Sequence, residues 1–265
     1  MEKWNIEANH FEKWQACGND FIFMREPVPE IPNWKICDRH FGIGADGIIY
    51  LQEPEEKGND LKVQIINADG SEAEMCGNGI RCVGQFLAQR LGGTHFKVET
   101  AAGVKELTVS GIDVTVDMGE PTPHWFKLLQ LPDKEYEAYH LDIGNPHCVL
   151  MLRDHIVGEV EKYGPMIENI RSLFPDKTNV EFMEIRNRST IRVRVWERGV
   201  GRTLACGTGA CASACVAHDQ GRTKDVVTVL LDGGELEVDL RGKTIKMTGP
   251  AEYVYRGEIY PPPEY

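Results

Sequence analysis

Short apolar or alternating runs recur along the chain, separated by Gly, Asp and Asn. In the first half they are FIFM (21–24), GIIYLQ (47–52), LKVQII (61–66), HFKVET (95–100), VKELTVS (104–110) and IDVTVDM (112–118). In the second they are EAYHLDI (137–143), CVLMLR (148–153), NVEFMEI (179–185), TIRVRVW (190–196), VVTVLL (226–231), ELEVDL (235–240) and KTIKMT (243–248). Successive side chains of a strand point to opposite faces, so runs of this length and period predict strands. AEYVYRGEI (251–259) reads as a last strand, whose place in a sheet the local pattern does not tell. Helical periodicity is rare. Clear helices are predicted only after Cys76 and after Cys206, with weaker candidates at 32–41 and 157–171.

The pattern repeats. KVQIINADGSEAEMCGNG (62–79) aligns without a gap on RVRVWERGVGRTLACGTG (192–209), at an offset of 130 residues. Each copy is an alternating strand, a turn, and a Cys-Gly-x-Gly that opens a helix. Asn67 falls opposite Glu197, and Ala68 opposite Arg198. A duplicated design predicts a mixed α/β (α+β) fold of two pseudo-symmetric halves, with like elements facing one another across a cleft. The Pro- and Gly-rich GEPTPHW (119–125) is the natural boundary.

Composition narrows the partners. A net charge of −12 argues against nucleic acid, whose phosphates demand clustered Lys and Arg. No apolar run has the length of a membrane span, and the polar opening MEKWNIEANHFEKWQ lacks the apolar stretch of a secretory signal. The expectation is a cytosolic protein whose eight cysteines are thiols. None forms a Cys-x-x-Cys pair. Cys211 and Cys215 could share a helix face, but no hairpin of His or Cys offers further zinc ligands, so they read as small buried residues and no metal is expected.

The twin cysteines carry the chemistry. At a helix N-terminus the dipole and the first-turn N–H groups favour a thiolate, which predicts a lowered thiol pKa. The following glycines let a ligand approach those N–H groups, which suit a carboxylate. Two such sites aimed at one ligand suit the inversion of a stereocentre. One cysteine, as thiolate, removes the α-proton; the other, as thiol, returns a proton on the opposite face. Charge that develops in the adjoining carboxylate would be held by the helix N-termini.

Other polar residues stand at strand ends: Asn19 in GNDFIF, Asn67 in INADG, Asn145 before a proline in GNPHCV with His147 two residues on, Asn179 in TNVEF, and Glu197 with Arg198 in WERG. Asn in such places is also ordinary turn chemistry. Together they offer amides, a carboxylate for an ammonium group and a guanidinium for a carboxylate, as a ligand with two amino-acid ends requires.

GNDFIF, DRHFGIGADGI, NADGSEAEMCGNGIRC, GNPHCV, TNVEF and ERGVGRTLACGTGA, in this order over residues 18 to 210, resemble the motifs of the diaminopimelate epimerases. Proline racemases and hydroxyproline epimerases share the two-cysteine plan, but their first motif usually has His where this chain has Asn78. The resemblance implies a cofactor-independent enzyme, free of pyridoxal phosphate, that interconverts LL- and meso-diaminopimelate for lysine and peptidoglycan synthesis, often as a homodimer. It implies two domains, each a curved, mostly antiparallel sheet around a central helix. The C-terminal strand returns to the first, giving residues 1–118 plus 251–265 with Cys76 and 119–250 with Cys206. It assigns Cys76 and Cys206 as the acid/base pair. Gly77, Asn78, Gly207 and Thr208 become donors to the carboxylate at the reacting carbon. Asn19, Asn67, Asn145, Asn179, Glu197 and Arg198 hold the remaining amino and carboxylate groups, and His147 is a candidate to assist a thiol. Where some members carry Gln, this chain has Gly47.

Three other readings remain open at this point. A racemase of another amino acid, such as histidine, would use the same pair of thiols. A thiol redox protein would use low-pKa cysteines at helix N-termini, although no Cys-x-x-Cys is present. A ligand-binding protein would keep a cleft but has no need of matched thiols.

Overall fold

The computed structural model describes residues 6–123, 125–152 and 158–260. Among them the elements are β1 (His10–Ala16), β2 (Asn19–Met24), α1 (Asn33–Cys37), β3 (Gly47–Gln52), β4 (Leu61–Asn67), β5 (Glu72–Ala73), α2 (Gly77–Leu91), β6 (His95–Thr100), β7 (Gly103–Ser110) and β8 (Asp113–Gly119). They continue as β9 (Trp125–Gln130), β10 (Glu135–Asp142), β11 (Pro146–Leu152), α3 (Glu159–Glu168), β12 (Asn179–Asn187), β13 (Thr190–Glu197), β14 (Gly201–Thr203), α4 (Gly207–Asp219), β15 (Val226–Leu231), β16 (Gly234–Asp239), β17 (Ile245–Pro250) and β18 (Glu252–Glu258). The chain forms two compact units, Met1–Val116 with Gly249–Tyr265, and Asp117–Thr248.

In the first unit the strands pair in the order β18–β1–β2–β3–β4–β6–β7–β8, and β5 pairs with β4. Among the pairings just named, β2–β3 and β4–β6 are parallel and the others antiparallel. The second unit repeats this ladder. β9–β10–β11–β12–β13–β15–β16 follow in order, β14 pairs with β13, and the parallel pairs are β11–β12 and β13–β15. β17 continues beyond β16. The duplication read from the cysteine motifs therefore extends through the whole ladder, with the last strand of the chain, β18, standing beside β1 as β9 stands beside β10. The register matches as well: Phe21 pairs with Gly47 in one unit and His147 with Asn179 in the other.

Each sheet is built around one helix. α2 packs on β1, β2, β7 and β18, and α4 on β10, β11, β12, β13, β15 and β16. Every residue from Gly77 to Leu87 of α2, and from Gly207 to Ala217 of α4, is buried. A helix enclosed on all sides needs apolar or small residues all round. α2 supplies Ile80, Val83, Phe86 and Leu87, each fully buried and worth roughly 1.5–3 kcal/mol against exposure. α4 supplies Ala, Cys and Gly, so Cys211 and Cys215 are packing residues in its buried run. Gly84 is small by necessity, because a Cβ there would lie 2.8 Å from Val114 Cγ1.

Four strands escape the periodicity argument: β5 and β14, of two and three residues within the segments read as turns, and the longer β1 and β9. β1 carries Glu12 and Lys13, both buried, which breaks its alternation. Lys13 Nζ lies 2.9 Å from Asp20 Oδ2, and Glu12 accepts a hydrogen bond from Trp14 Nε1 at 3.1 Å and pairs with Arg90. β9 (WFKLLQ) is exposed at every residue but Leu129, and follows a Pro-rich segment. The helix expected at 32–41 is only α1, because the Asp38 carboxylate accepts the N–H groups of His40 and Phe41, each at 2.7 Å, and turns the chain. The candidate at 157–171 is α3; residue 157 itself lies outside the described residues. Among the described residues, no helix is long and apolar enough to cross a membrane, and no group of three or more His, Cys, Asp or Glu is placed to hold a metal ion.

Candidate active site

In the first unit, Cys76 is the N-cap of α2, in extended geometry, and its Sγ accepts the N–H of Gly79 at 3.4 Å. Bonding within the helix begins with Ile80 N to Cys76 O at 2.9 Å, which leaves the N–H groups of Gly77 and Asn78 in the turn ahead of it. The thiol also lies 3.8 Å from Asn19 Oδ1, the same oxygen that accepts Asn78 Nδ2 at 3.2 Å. Asn19 itself donates to Asp46 Oδ2 at 2.7 Å.

Beneath this cluster lies Arg81, with no exposed surface. Its guanidinium donates to Asn78 Oδ1 at 2.8 Å and to Gly77 O at 3.0 Å, and approaches Cys17 Sγ at 3.6 Å. The Asn78 side chain is thus committed to Asn19 and Arg81. Cys17 and Gly18 are the two-residue turn between β1 and β2, both at positive φ (52° and 78°). That turn sets Asn19 at the head of β2. Asn67 ends β4, where its amide donates to Ser71 Oγ at 3.0 Å and closes the turn into β5. Gly47 has no room for a side chain: a Cβ there would sit 2.7 Å from Ile66 O.

The second unit builds the same arrangement with different side chains. Cys206 caps α4, and its Sγ accepts the N–H of Gly209 at 3.4 Å and lies 3.4 Å from Thr208 Oγ1. Gly207 opens the helix. His147 on β11 and Glu181 on β12 are wholly buried beside it, with Nδ1 2.7 Å from Glu181 Oε1. The other ring nitrogen, Nε2, lies 2.8 Å from Asn145 Oδ1. A thiol would therefore have to displace one of these partners before His147 could assist it.

Asn179 donates to Pro146 O at 3.0 Å and accepts the backbone N–H of Arg198 at 2.9 Å, tying the strand ends that carry Asn145 and Arg198. Glu197 accepts a hydrogen bond from Thr203 Oγ1, and the Arg198 guanidinium reaches Asp176 O at 3.5 Å.

The electrostatics of Cys206 depart from the helix-dipole expectation. Burial, and then the carboxylates of Glu197 and Glu181, push its thiol well above the usual range, outweighing Thr208 and the Gly209 N–H. The dipole is a fractional charge, whereas desolvation acts on the whole charge of a thiolate.

The sequence model of diaminopimelate epimerase matches residues 11–123 and 139–254, which include every one of these residues. The chain belongs to the diaminopimelate epimerase family. The diaminopimelate epimerase of Desulfitobacterium hafniense is 41% identical over 276 residues, covering 93% of this chain and 96% of that protein. That of Carboxydothermus hydrogenoformans is 42% identical over 278 residues, covering 94% and 99%. A chloroplastic diaminopimelate epimerase of Oryza sativa subsp. japonica is 41% identical over 288 residues, covering 94% and 80%. Among solved structures, a hydroxyproline epimerase from Agrobacterium vitis matches with a TM-score of 0.72 at 16% identity, over 94% of this chain and 90% of that one. A PhzC/PhzF protein from Clostridium difficile matches at 0.69 and 16%, over 95% and 99%. At that identity the likeness is one of fold.

For a diaminopimelate epimerase, the motif residues reach two local clusters: Cys76, Asn78 and Asn19 in one unit, and Cys206, Thr208, His147, Asn145, Asn179 and Arg198 in the other. Asp46, Arg81 and Glu181 escaped the sequence reading. For Glu181 a signal existed, a charge set directly between the apolar Val180 and Phe182. Arg81 reads locally as an ordinary helix cation.

Proposed function

We propose that the chain is an isomerase that interconverts LL- and meso-diaminopimelate by direct proton transfer, with Cys76 and Cys206 as the two acid/base groups on opposite faces of one α-carbon. The observation that carries this reading is the matched pair of caps. Each thiol closes the N-terminus of a buried helix and accepts the N–H three residues on, at 3.4 Å in both units. A cysteine needed only for packing would have no reason to recur in the same cap of both halves.

The asymmetry between the caps divides their roles. Cys206, held as a thiol by burial and two carboxylates, enters as the proton donor. Cys76, half-buried, enters as the base. After one inversion the protons are exchanged, and the reverse reaction starts from that state. The first-turn N–H groups of α2 and α4, with Thr208, hold the carboxylate at the reacting carbon, where charge accumulates as the proton leaves. At the far end of the substrate, Glu197 takes the ammonium, and Arg198 with the asparagine amides takes the carboxylate. The same reading makes the enzyme a cytosolic homodimer that works without pyridoxal phosphate.

The test is α-proton exchange. LL-diaminopimelate incubated with the reduced protein in deuterated water gains deuterium at one α-carbon and appears as the meso form. Cys76→Ala and Cys206→Ala each abolish inversion, a loss of at least ~10²–10⁴-fold for a proton-transfer group, whereas Cys211→Ala does not. Inversion that survives either cap substitution overturns the two-thiol reading. Exchange with histidine but not with diaminopimelate would move the substrate assignment.

A further inference from the structure

Matching the two units residue by residue isolates one pair. Phe21 pairs with Gly47, and His147 with Asn179. Two residues into each second strand stand Ile49 and Glu181. The surroundings match too. A Cβ on Gly79 would lie 2.9 Å from Ile49 Cδ1 and 3.5 Å from Phe21 Cζ, and a Cβ on Gly209 would lie 2.7 Å from Glu181 Oε1. One unit thus fills the space beside its cysteine-capped helix with Phe21 and Ile49. The other fills it with His147 and Glu181, both without exposed surface. The fold is satisfied by hydrocarbon at these places, and a buried ion pair is generally no better for stability than a well-packed apolar pair. Glu181 also leaves Oε2 without a hydrogen-bond partner among the described residues, which is costly in a core. Packing does not account for the charged pair.

The hydrogen-bond chain suggests what does. Nδ1 of His147 faces the Glu181 carboxyl at 2.7 Å, and toward a carboxylate, which only accepts, it would donate. Nε2 faces Asn145 Oδ1 at 2.8 Å, and toward an amide oxygen, which only accepts, it would donate as well. With Oδ1 turned to the ring, the NH2 group of Asn145 is turned away from it. We propose that Glu181 is a positioning residue: by holding His147 with a proton on both ring nitrogens, it sets the Asn145 amide so that its NH2 group donates to a substrate carboxylate. A ring with one proton, on Nδ1, would take the NH2 group for itself and present Oδ1, which repels a carboxylate and accepts an ammonium instead. Glu181 therefore fixes which end of an amino acid Asn145 recognises.

The inference rests on the proposed function only in making Asn145 a substrate contact. The other titratable groups around the pair are His140 on β10, with Asp142 beside it, Cys148 on β11, and Cys206 on α4, with Glu197 beside it. Burial holds Cys148 and Cys206 as neutral thiols, and of these groups Glu181 is the one in hydrogen-bond contact with the ring.

The experiment combines ¹⁵N NMR of histidine-labelled protein with kinetics. In the wild type at neutral pH the ¹⁵N shifts show a proton on both His147 ring nitrogens. In Glu181→Gln, nearly isosteric but uncharged, the ring holds one proton, and KM rises about tenfold or more, as loss of a hydrogen bond to a charged group implies, with a smaller change in kcat. The double variant His147→Phe with Glu181→Ile, copying Phe21 and Ile49, folds and shows the same high KM. A singly protonated wild-type ring at neutral pH, or an unchanged KM in folded Glu181→Gln, overturns the proposal. The NMR readout requires no turnover, so a failure of the epimerase reading is distinguishable from a failure of this one.

Discussion

Glu181 stands in the second unit where Ile49 stands in the first, two residues into a parallel-paired strand and against the second glycine of a cysteine-capped helix. The two units share a ladder and a helix but differ in what lies beside the thiol. Against the second glycine of the helix the first unit sets Ile49 and Phe21 and the second sets Glu181, while the Cys76 cap itself faces Asn19 and Asn78, with Arg81 beneath. Under the two-thiol mechanism proposed above, such unlike surroundings would separate the protonation states of the two caps.

That difference predicts the order of chemical modification. The thiolate is the reactive form, and Cys206 is buried and held protonated as pH passes about 9, the ordinary thiol value. Limiting iodoacetamide labels Cys76 ahead of Cys206, as peptide mass analysis would show. Glu197→Gln removes the first of the two carboxylates that raise the Cys206 thiol, and so speeds labelling at Cys206 several-fold while leaving Cys76 unchanged.

The helix glycines differ in tolerance. At Gly79 an added methyl group meets the end of Ile49, which can rotate away; at Gly209 it meets Glu181, pinned by His147. Gly209→Ala destabilises by about 2–3 kcal/mol and Gly79→Ala by about 1 kcal/mol, within the usual range for overpacking. Urea midpoints of the two variants give the comparison.

Arg81 ties Asn78 and Gly77 to the floor of the first cluster. Arg81→Met keeps most of its volume but takes the guanidinium hydrogen bond from the buried Asn78 Oδ1, at roughly 1–3 kcal/mol, and the side-chain bond from Gly77 O, which keeps its helix N–H. The variant unfolds at lower urea, and its remaining folded fraction turns over slowly, because Asn78 and the first turn of α2 are no longer held against Asn19. A variant as stable and as active as the parent would show that this buried cation is dispensable.

Acid weakens the first unit through Asp20. Burial pushes its carboxyl upward, but hydrogen bonds from Arg39 and Lys13 outweigh that and bring it down to about 2. A carboxyl lowered in the folded state stabilises above its unfolded value near 4, and that contribution is lost as pH falls through about 2. Stability measured between pH 5 and 2 therefore declines with acid, and Asp20→Asn shows a flatter profile from a lower starting point.

Asn19, Asn145 and Asn179 were legible because each stands at a strand end inside a motif, and the thiols because their caps repeat. β1 was not, since Glu12 and Lys13 hide a buried strand behind charges whose partners, Arg90 and Trp14 for one and Asp20 and Gly44 O for the other, come from the fold. The lowered thiol pKa expected from the helix position failed for Cys206, because burial and the two carboxylates arise from other strands.

The amino-acid sequence alone determined the alternating strands, the two capped helices and their duplication, because periodicity and capping are properties of neighbours along the chain. Tertiary structure alone decided that Arg81 lies under Asn78 and against Cys17, and that Glu181 lies between His147 and Gly209. Cys17 and Arg81, or His147 and Glu181, lie far apart in sequence. Which strand faces meet which turn of a buried helix depends on sheet register and packing, and no local pattern records either.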